Sequence, residues 1–494
     1  MTEAPGNYPL RDSANIQGNI LAPFNKPHQV FLFLSFGNNQ GGAKRWLASL
    51  DGRIATTRQV VNYNERHREL RKKYGLAQAT EKSEAKIWMG VGLTSWGLVT
   101  LHPELAADLF AYDAFWRGPL GEGTDENGNW TAPAALLGDH GQSDPCNWVV
   151  GGPEQRPVDA LLTIAADDRN ALLGLARKEG EDAAKLGLDV LVKGELGEVL
   201  RPEGKDSPGV EHFGFRDGVS QPGIRGFTSA TINDGRWESA ELPGTPIIAA
   251  GEFVLGYPGE RGSYLRGQRP DPPEWMRDGS FQVFLRLTQN VAGWHKEMER
   301  LGAKLSEDVA AKLIGRRSDG APLAQGATGL NDFDYADDLL GNDTPRFAHI
   351  RRANPRNDAV YNDRSHRLLR RGIPFGPFAK NADEAQSNPV ERGLLLNAFM
   401  ASIEDQFEVV QRNWASNSGL LPVTAGRGWP ENAITDGPDP VIGASTHPCL
   451  LRRHGQEPVP LDLPRFVHTT GAVYAFAPSI PALGRLGRDD RMRA

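Results

Sequence analysis

The sequence predicts an α+β protein made of two ferredoxin-like halves, each a β-α-β-β-α-β unit with an antiparallel sheet and peripheral helices. Three observations carry this expectation. The chain has 494 residues, well beyond the ~150 residues typical of one domain. Short apolar runs alternate with stretches of helical period through the first half. The same rhythm returns in the second half, without residue-by-residue identity between the two.

In the first half, strands are expected at 29–36 (QVFLFLSF), 86–94 (KIWMGVGLT), 159–165 (DALLTIA) and 188–193 (LDVLVK). Helices are expected between them at 42–50, 103–110 and 168–179. In the second half, 281–288 (FQVFLRLT), 393–401 (GLLLNAFMA) and 471–477 (GAVYAFA) read as strands, and a helix-like stretch follows each of the first two. The helix after residue 401 is well marked. Ser402 with Asp405 three residues on resembles a capping box, and Ile403, Phe407, Val410 and Trp414 fall at helical spacing as one buried stripe. Long Gly- and Pro-rich connectors run over 201–226 and 314–345, the kind of stretch that carries function or motion in a compact protein. The first places a domain boundary near 225, giving domains 1–225 and 226–494.

Composition narrows the function. Hydrophobic residues at 39% and charged residues at 24% exclude a wholly disordered chain, while 56 glycines and 35 prolines predict many turns. A net charge of −7 argues against nucleic acid or an anionic membrane as the main partner and favours small molecules. Cys146 and Cys449 are too few for a disulfide framework; one bridge is conceivable, and a reducing cytosol fits. The N-terminus lacks a basic start followed by an apolar run, and no ~18-residue apolar segment occurs, so a cytoplasmic protein without a membrane span is expected.

Three segments could carry chemistry. In 211–226, EHFGFRDGVSQPGIRG, Asp217 lies between glycines and follows two phenylalanines. Asp-Gly is commonly a solvated turn. The functional reading is a carboxylate in an apolar surround, where desolvation tunes it for proton transfer. In RFAHIRRANPR, His349 is followed by Arg351, Arg352 and Arg356. A lone histidine is commonly structural; the sharper reading is an axial ligand to haem iron, with arginines paired to the propionates. In RLLRRGIPFGP, Arg370 and Arg371 bring cations into an apolar turn, where surface arginines are the bland alternative.

Together these segments resemble the dye-decolourising peroxidases. GFRDG followed by SQP is similar to that family's GxxDG motif, HIRRANPR to its proximal histidine segment and LRRGIPFG to its distal arginine segment. IQGNIL near the start, GLLLNAFMASIE and the late DGPDPVIG extend the likeness over nearly the whole chain, and its length is similar to the larger fungal and long bacterial members. The resemblance implies a dimeric α+β barrel-like fold and one haem b per chain, with His349 as the iron ligand and Asp217 and Arg370 as the distal pair. It also implies Gln221, Arg356, Leu396 and Asp439 around the cofactor, and hydrogen peroxide and organic reductants such as dyes and phenols as substrates. Asp439 is the candidate partner of His349, with Asp436 and Asp363 as alternatives. Many relatives carry Phe where Leu396 stands, which implies a wider or reshaped distal pocket. Phe375 and Phe378 occupy a turn where some fungal members have a surface tyrosine, and Trp414 stands where such members carry a radical tryptophan; a core role on its apolar stripe is the rival reading. A haem-handling protein without peroxidase turnover is the alternative function. The sequence leaves the oligomeric state open.

Overall fold

The computed structural model describes residues 8–75, 78–79, 82, 86–121, 137–191, 194–233, 236–260, 270–356, 363–417, 436–444 and 447–488. Its core is one ten-stranded sheet shared by both halves. The first half contributes β1 (His28–Ser35), β2 (Trp88–Leu93), β3 (Ala160–Ala166), β4 (Asp189–Val190) and β5 (Glu195–Glu198). The second contributes β6 (Ser280–Gln289), β7 (Leu369–Arg370), β8 (Ile373–Phe375), β9 (Gly393–Met400) and β10 (Val467–Ala477). The order is β7-β9-β6-β10-β2-β3-β1-β4, with β8 beside β9 and β5 beside β1. The halves join where Phe476 of β10 pairs with Leu93 of β2. All the pairings within this sheet are antiparallel. The expected α+β class and doubled ferredoxin-like arrangement are what the chain adopts. The proposed boundary at 225 falls just after the short strand Gly223–Ile224, which pairs in parallel with Ile247–Ile248.

The strands form where alternation or continuous burial predicts them. β1 is buried at seven of its eight positions, as expected of a strand packed on both faces. Phe31 and Phe33 of β1 reach Phe284 of β6 with ring centroids 5.1 and 5.0 Å apart, so a face of the second half's sheet packs on the first. Helices cover the remaining faces. Side-chain caps start α1 (Gln40–Ser49) at Asn39 and α3 (Arg169–Lys185) at Asp168, and a capping box of Thr56 and Gln59 starts α2 (Thr57–Tyr74). Asn290 caps α4 (Val291–Leu305), which follows β6 directly.

Four expectations change. α2 was not anticipated, because its 18 residues are mostly charged and few are buried. The helix expected over 103–110 splits into a 3₁₀ turn, Pro103–Leu105, and one α-turn, Ala106–Leu109. Of the strand expected over 188–193, Asp189–Val190 pairs with β1, and 192–193 lie outside the described residues. The helix after residue 401 is a π-helix, Ile403–Ala415, begun by Ser402 accepting the Asp405 N–H as expected. Its wider turn divides the anticipated stripe. Ile403 and Phe407 join the main core, whereas Val409, Val410 and Trp414 form a separate cluster.

Candidate active site

One face of β6, β9 and β10 floors a cavity of about 320 Å³. Register explains the floor. Leu285 pairs with Leu396 and Ala472, Leu287 with Leu394 and Thr469, and Gln289 with Val467, and all eight side chains line the cavity. A bulge between Arg286 and Leu287 keeps Ala472, Thr469 and Val467 on that face despite the odd spacing.

His349 opens the five-residue helix α5 (His349–Ala353) and lines the cavity. Its Nδ1 lies 2.8 Å from Asp439 Oδ2. Asp439 is itself fixed: Oδ1 accepts the N–H groups of Val441 at 2.7 Å and Ile442 at 3.1 Å, and its side chain is fully buried. With Nδ1 held by a carboxylate, Nε2 is the ring nitrogen available to a metal, the usual arrangement for a ligating histidine. Of the alternative partners, Asp436 pairs with Arg346 at 3.0 Å and Arg452 at 3.1 Å. The side chain of Asp363 lies outside the described residues.

The GFRDG loop reaches the same cavity. Phe213 stacks on Trp294 of α4 at 4.2 Å, and His212 Nε2 lies 2.8 Å from the Phe375 carbonyl oxygen, so the loop is pinned from two sides. Asp217 lines the cavity as an exposed side chain, and its Oδ1 accepts the Gly218 N–H at 2.6 Å. The apolar surround expected of Asp217 therefore belongs to another acid. Glu211, six residues earlier, accepts the N–H groups of Phe213 and Phe215 and of the Gln289 amide, and burial pushes it up to about 7. Sequence reasoning did not single it out, although EHFG places it beside the two phenylalanines.

Arg370 ends β7 and lines the cavity, donating from Nη2 to the Ser220 carbonyl at 2.7 Å. Gln221 also lines it, but its amide is engaged with the Arg370 peptide. Leu396 forms part of the floor, and Arg356 lines the cavity while its Nη1 donates to the Asn331 and Phe333 carbonyls. Arg351 and Arg352, expected to face propionates, do not line it. α5 turns Arg351 toward Asp338 and the Thr344 carbonyl, and Arg352 toward the carbonyls of Trp414 and Gly437. Trp414 is 3% exposed and sits outside the lining, its ring centroid 5.2 Å from that of His366 in an edge-to-face contact, and His366 does line the cavity.

The cavity's charge fits an anionic, iron-bearing macrocycle. Among the described lining residues six are arginines (216, 316, 356, 367, 370 and 465) and three are acids (Asp139, Glu211 and Asp217). Burial pushes Arg316 down to about 10, and Arg356, Arg370 and Arg216 add to the effect. Such a cluster suits carboxylate groups through bidentate hydrogen bonds. Burial pushes Asp139 up to about 6, against the pull of Thr469 and Arg465. Among the described residues no group of three His, Cys, Asp or Glu could hold a bare metal ion.

Comparison with known proteins decides the family. The model of the DyP dimeric alpha+beta barrel domain matches residues 15–178, and that of the Dyp-type peroxidase C-terminal region matches 264–421. The Multifunctional dye peroxidase DyP2 of Amycolatopsis sp. is 30% identical over 95% of this chain and 95% of its own. The chain belongs to the DyP-type peroxidases. Peroxidase 2 of Mycetinis scorodonius is 28% identical over 95% of this chain and 86% of that protein. The crystal structure of an Anabaena sp. DyP-type peroxidase superposes with a TM-score of 0.73 at 24% identity, covering 96% of this chain and 94% of that one, which shows the shared fold. The protein is thus a haem peroxidase, an oxidoreductase that uses peroxide. No described helix is long and apolar enough to cross a membrane, and both cysteines are free, Cys146 exposed and Cys449 buried.

Proposed function

We propose that this chain binds one haem b in the cavity, ligated by His349, and uses hydrogen peroxide to oxidise dyes, phenols and similar organic reductants in the cytoplasm. The carrying observation is that a carboxylate-anchored histidine and an Asp/Arg pair open into one arginine-rich cavity. Haem, when bound, supplies the iron at which peroxide is reduced. The rest falls to the chain. Asp439 holds His349 in one tautomer and raises its basicity. Asp217 has Oδ1 engaged by Gly218, leaving Oδ2 to take the proton from peroxide and return it to the departing oxygen. Arg370, fixed by Ser220, presents its remaining N–H groups to the negative charge that develops as the O–O bond breaks. Arg356, with Arg216 and Arg316 nearby, pairs with the propionates, and Leu396 walls the cavity with less bulk than a phenylalanine. Trp414 relays electrons from donors too large for the cavity, through its contact with His366; its burial makes packing the competing role.

Mixing haem-loaded protein with peroxide, first without and then with a phenolic donor, tests this reading. The expected result is rapid peroxide consumption and two one-electron donor oxidations per peroxide. Haem binding with peroxide left intact would instead make this a haem-handling protein.

A further inference from the structure

The peptide of Arg370 is gripped from two directions. On one side, Gln221 Nε2 donates to the Arg370 carbonyl at 3.1 Å while Gln221 Oε1 accepts the Arg370 N–H at 3.2 Å. The amide thus pairs with this peptide as a neighbouring strand would. Gln221 follows Ser220, whose carbonyl receives the Arg370 guanidinium, and lies four residues after Asp217. One amide therefore ties the loop carrying the carboxylate to the strand carrying the cation.

On the other side, Arg371 turns away from the cavity. Its Nη1 donates to the same Arg370 carbonyl at 3.0 Å, and Nε and Nη2 donate to the carbonyls of Asn19 at 3.0 Å, Ile20 at 2.9 Å and Leu21 at 3.1 Å. Those three residues belong to the short helix Gly18–Leu21, which is buried throughout. Arg371 is partly buried, burial and the charge of Arg370 push it down to about 9, and these guanidinium bonds all go to backbone carbonyls. What the guanidinium supplies is geometry, since its planar fork reaches four separate carbonyls and a lysine ammonium cannot.

We propose that Gln221 and Arg371 are positioning residues that clamp the Arg370 peptide and so fix the spacing of Arg370 from Asp217, making the N-terminal turn Gly18–Leu21 part of the distal site. This rests on Arg370 being the distal cation. Displacement of a catalytic group by about 1 Å can cost ~10²-fold in rate, so the clamp acts on the peroxide step and leaves donor binding alone.

Arg371→Lys and Gln221→Asn test it, each read with and without haem. In haem-free protein, amide hydrogen exchange over 369–373 should rise in both variants. In haem-loaded protein, kcat/KM for peroxide should fall about 10- to 100-fold, with KM for a small phenol unchanged. In an Arg370→Leu background, either substitution should change the peroxide rate by less than about twofold, because there is no guanidinium left to place. Unchanged exchange, equal proportional losses in haem occupancy and every rate, or losses that multiply with those of Arg370→Leu would overturn the clamp. Should Arg371→Lys fail to fold, Gln221→Asn alone decides. If Arg370→Leu itself reacts with peroxide at the wild-type rate, the distal-cation reading fails; if it is slow while both clamp variants are normal, only the clamp fails.

Discussion

Two aspartates in this molecule are built in opposite ways. Asp439 has no exposed side-chain surface, gives Oδ2 to His349 and Oδ1 to two backbone N–H groups, and has its own N–H bonded to the Ala415 carbonyl. Asp217 is exposed in the cavity, and its Oδ1 accepts the N–H of the next residue, Gly218. A carboxylate that must hold a ligand in one orientation is saturated with donors, because any open lone pair admits a second geometry. A carboxylate that must take up and release a proton keeps an oxygen open to its substrate. On the reading proposed above, similar side chains serve a static and a dynamic role, and the distinction lies in the count of fixed donors.

The largest effect should come on the static side. His349→Ala removes the ring nitrogen proposed to hold iron, and haem should be lost or weakly held, measured by the haem-to-protein ratio after gel filtration. Retained haem with an unchanged axial-ligand spectrum would reject His349. On the dynamic side, Asp217→Asn should slow the reaction with peroxide by ~10²- to 10⁴-fold and Arg370→Leu by ~10²- to 10³-fold, both with haem retained. Stopped-flow traces matching wild type for both variants would remove the distal assignment. Asp439→Asn should weaken haem retention or the rate by ~10- to 100-fold; a loss as complete as that of His349→Ala would mean that Asp439 does more than orient.

Smaller effects sharpen the contrast between the two sides. His212, which pins the GFRDG loop, is fully buried, its Nδ1 has no hydrogen-bond partner among the described residues, and burial pushes it down to about 4. Between about 6.5 and 4 the unfolded chain takes up a proton that the folded chain refuses, so stability falls as pH drops through that window. The contribution is on the order of 3 kcal/mol. Denaturant unfolding of the haem-free protein at pH 7 and 4.5 should show this loss in wild type and a smaller one in His212→Gln; equal losses would exclude His212 as the source. Trp414→Phe should cost about 1 to 2 kcal/mol if packing is its role, and should impair a bulky dye more than a small phenol if it relays electrons. A lowered melting temperature with equal proportional losses on both donors would leave packing alone.

Much of the site was legible because its motifs are short and contiguous. GFRDG, HIRRANPR and LRRGIPFG each bring candidate residues to the cavity, and DGPDPVIG supplied the histidine's hydrogen-bond partner from among the candidate acids. What sequence could not show was direction. Arg351 and Arg352 look equivalent to Arg356 in the text of the chain, yet one turn of helix sends them to other carbonyls and acids. Arg370 and Arg371 are neighbours with opposite destinations, as strand alternation requires. The stripe through Trp414 assumed 3.6 residues per turn, and a π-helix redistributed it. His366 reaches the cavity through tertiary packing that no local pattern announces, whereas Glu211 had a local signal in its two neighbouring phenylalanines.

The central claim is that His349 holds iron in a cavity where the chain activates peroxide. Titrating haem-free protein with haem, and recording the absorption spectrum before and after one equivalent of peroxide in wild type and His349→Ala, tests it most directly. The account predicts one haem per chain, a histidine-ligated ferric spectrum that changes promptly with peroxide, and loss of that spectrum in His349→Ala. Identical spectra for the two proteins, inert to peroxide, would contradict it.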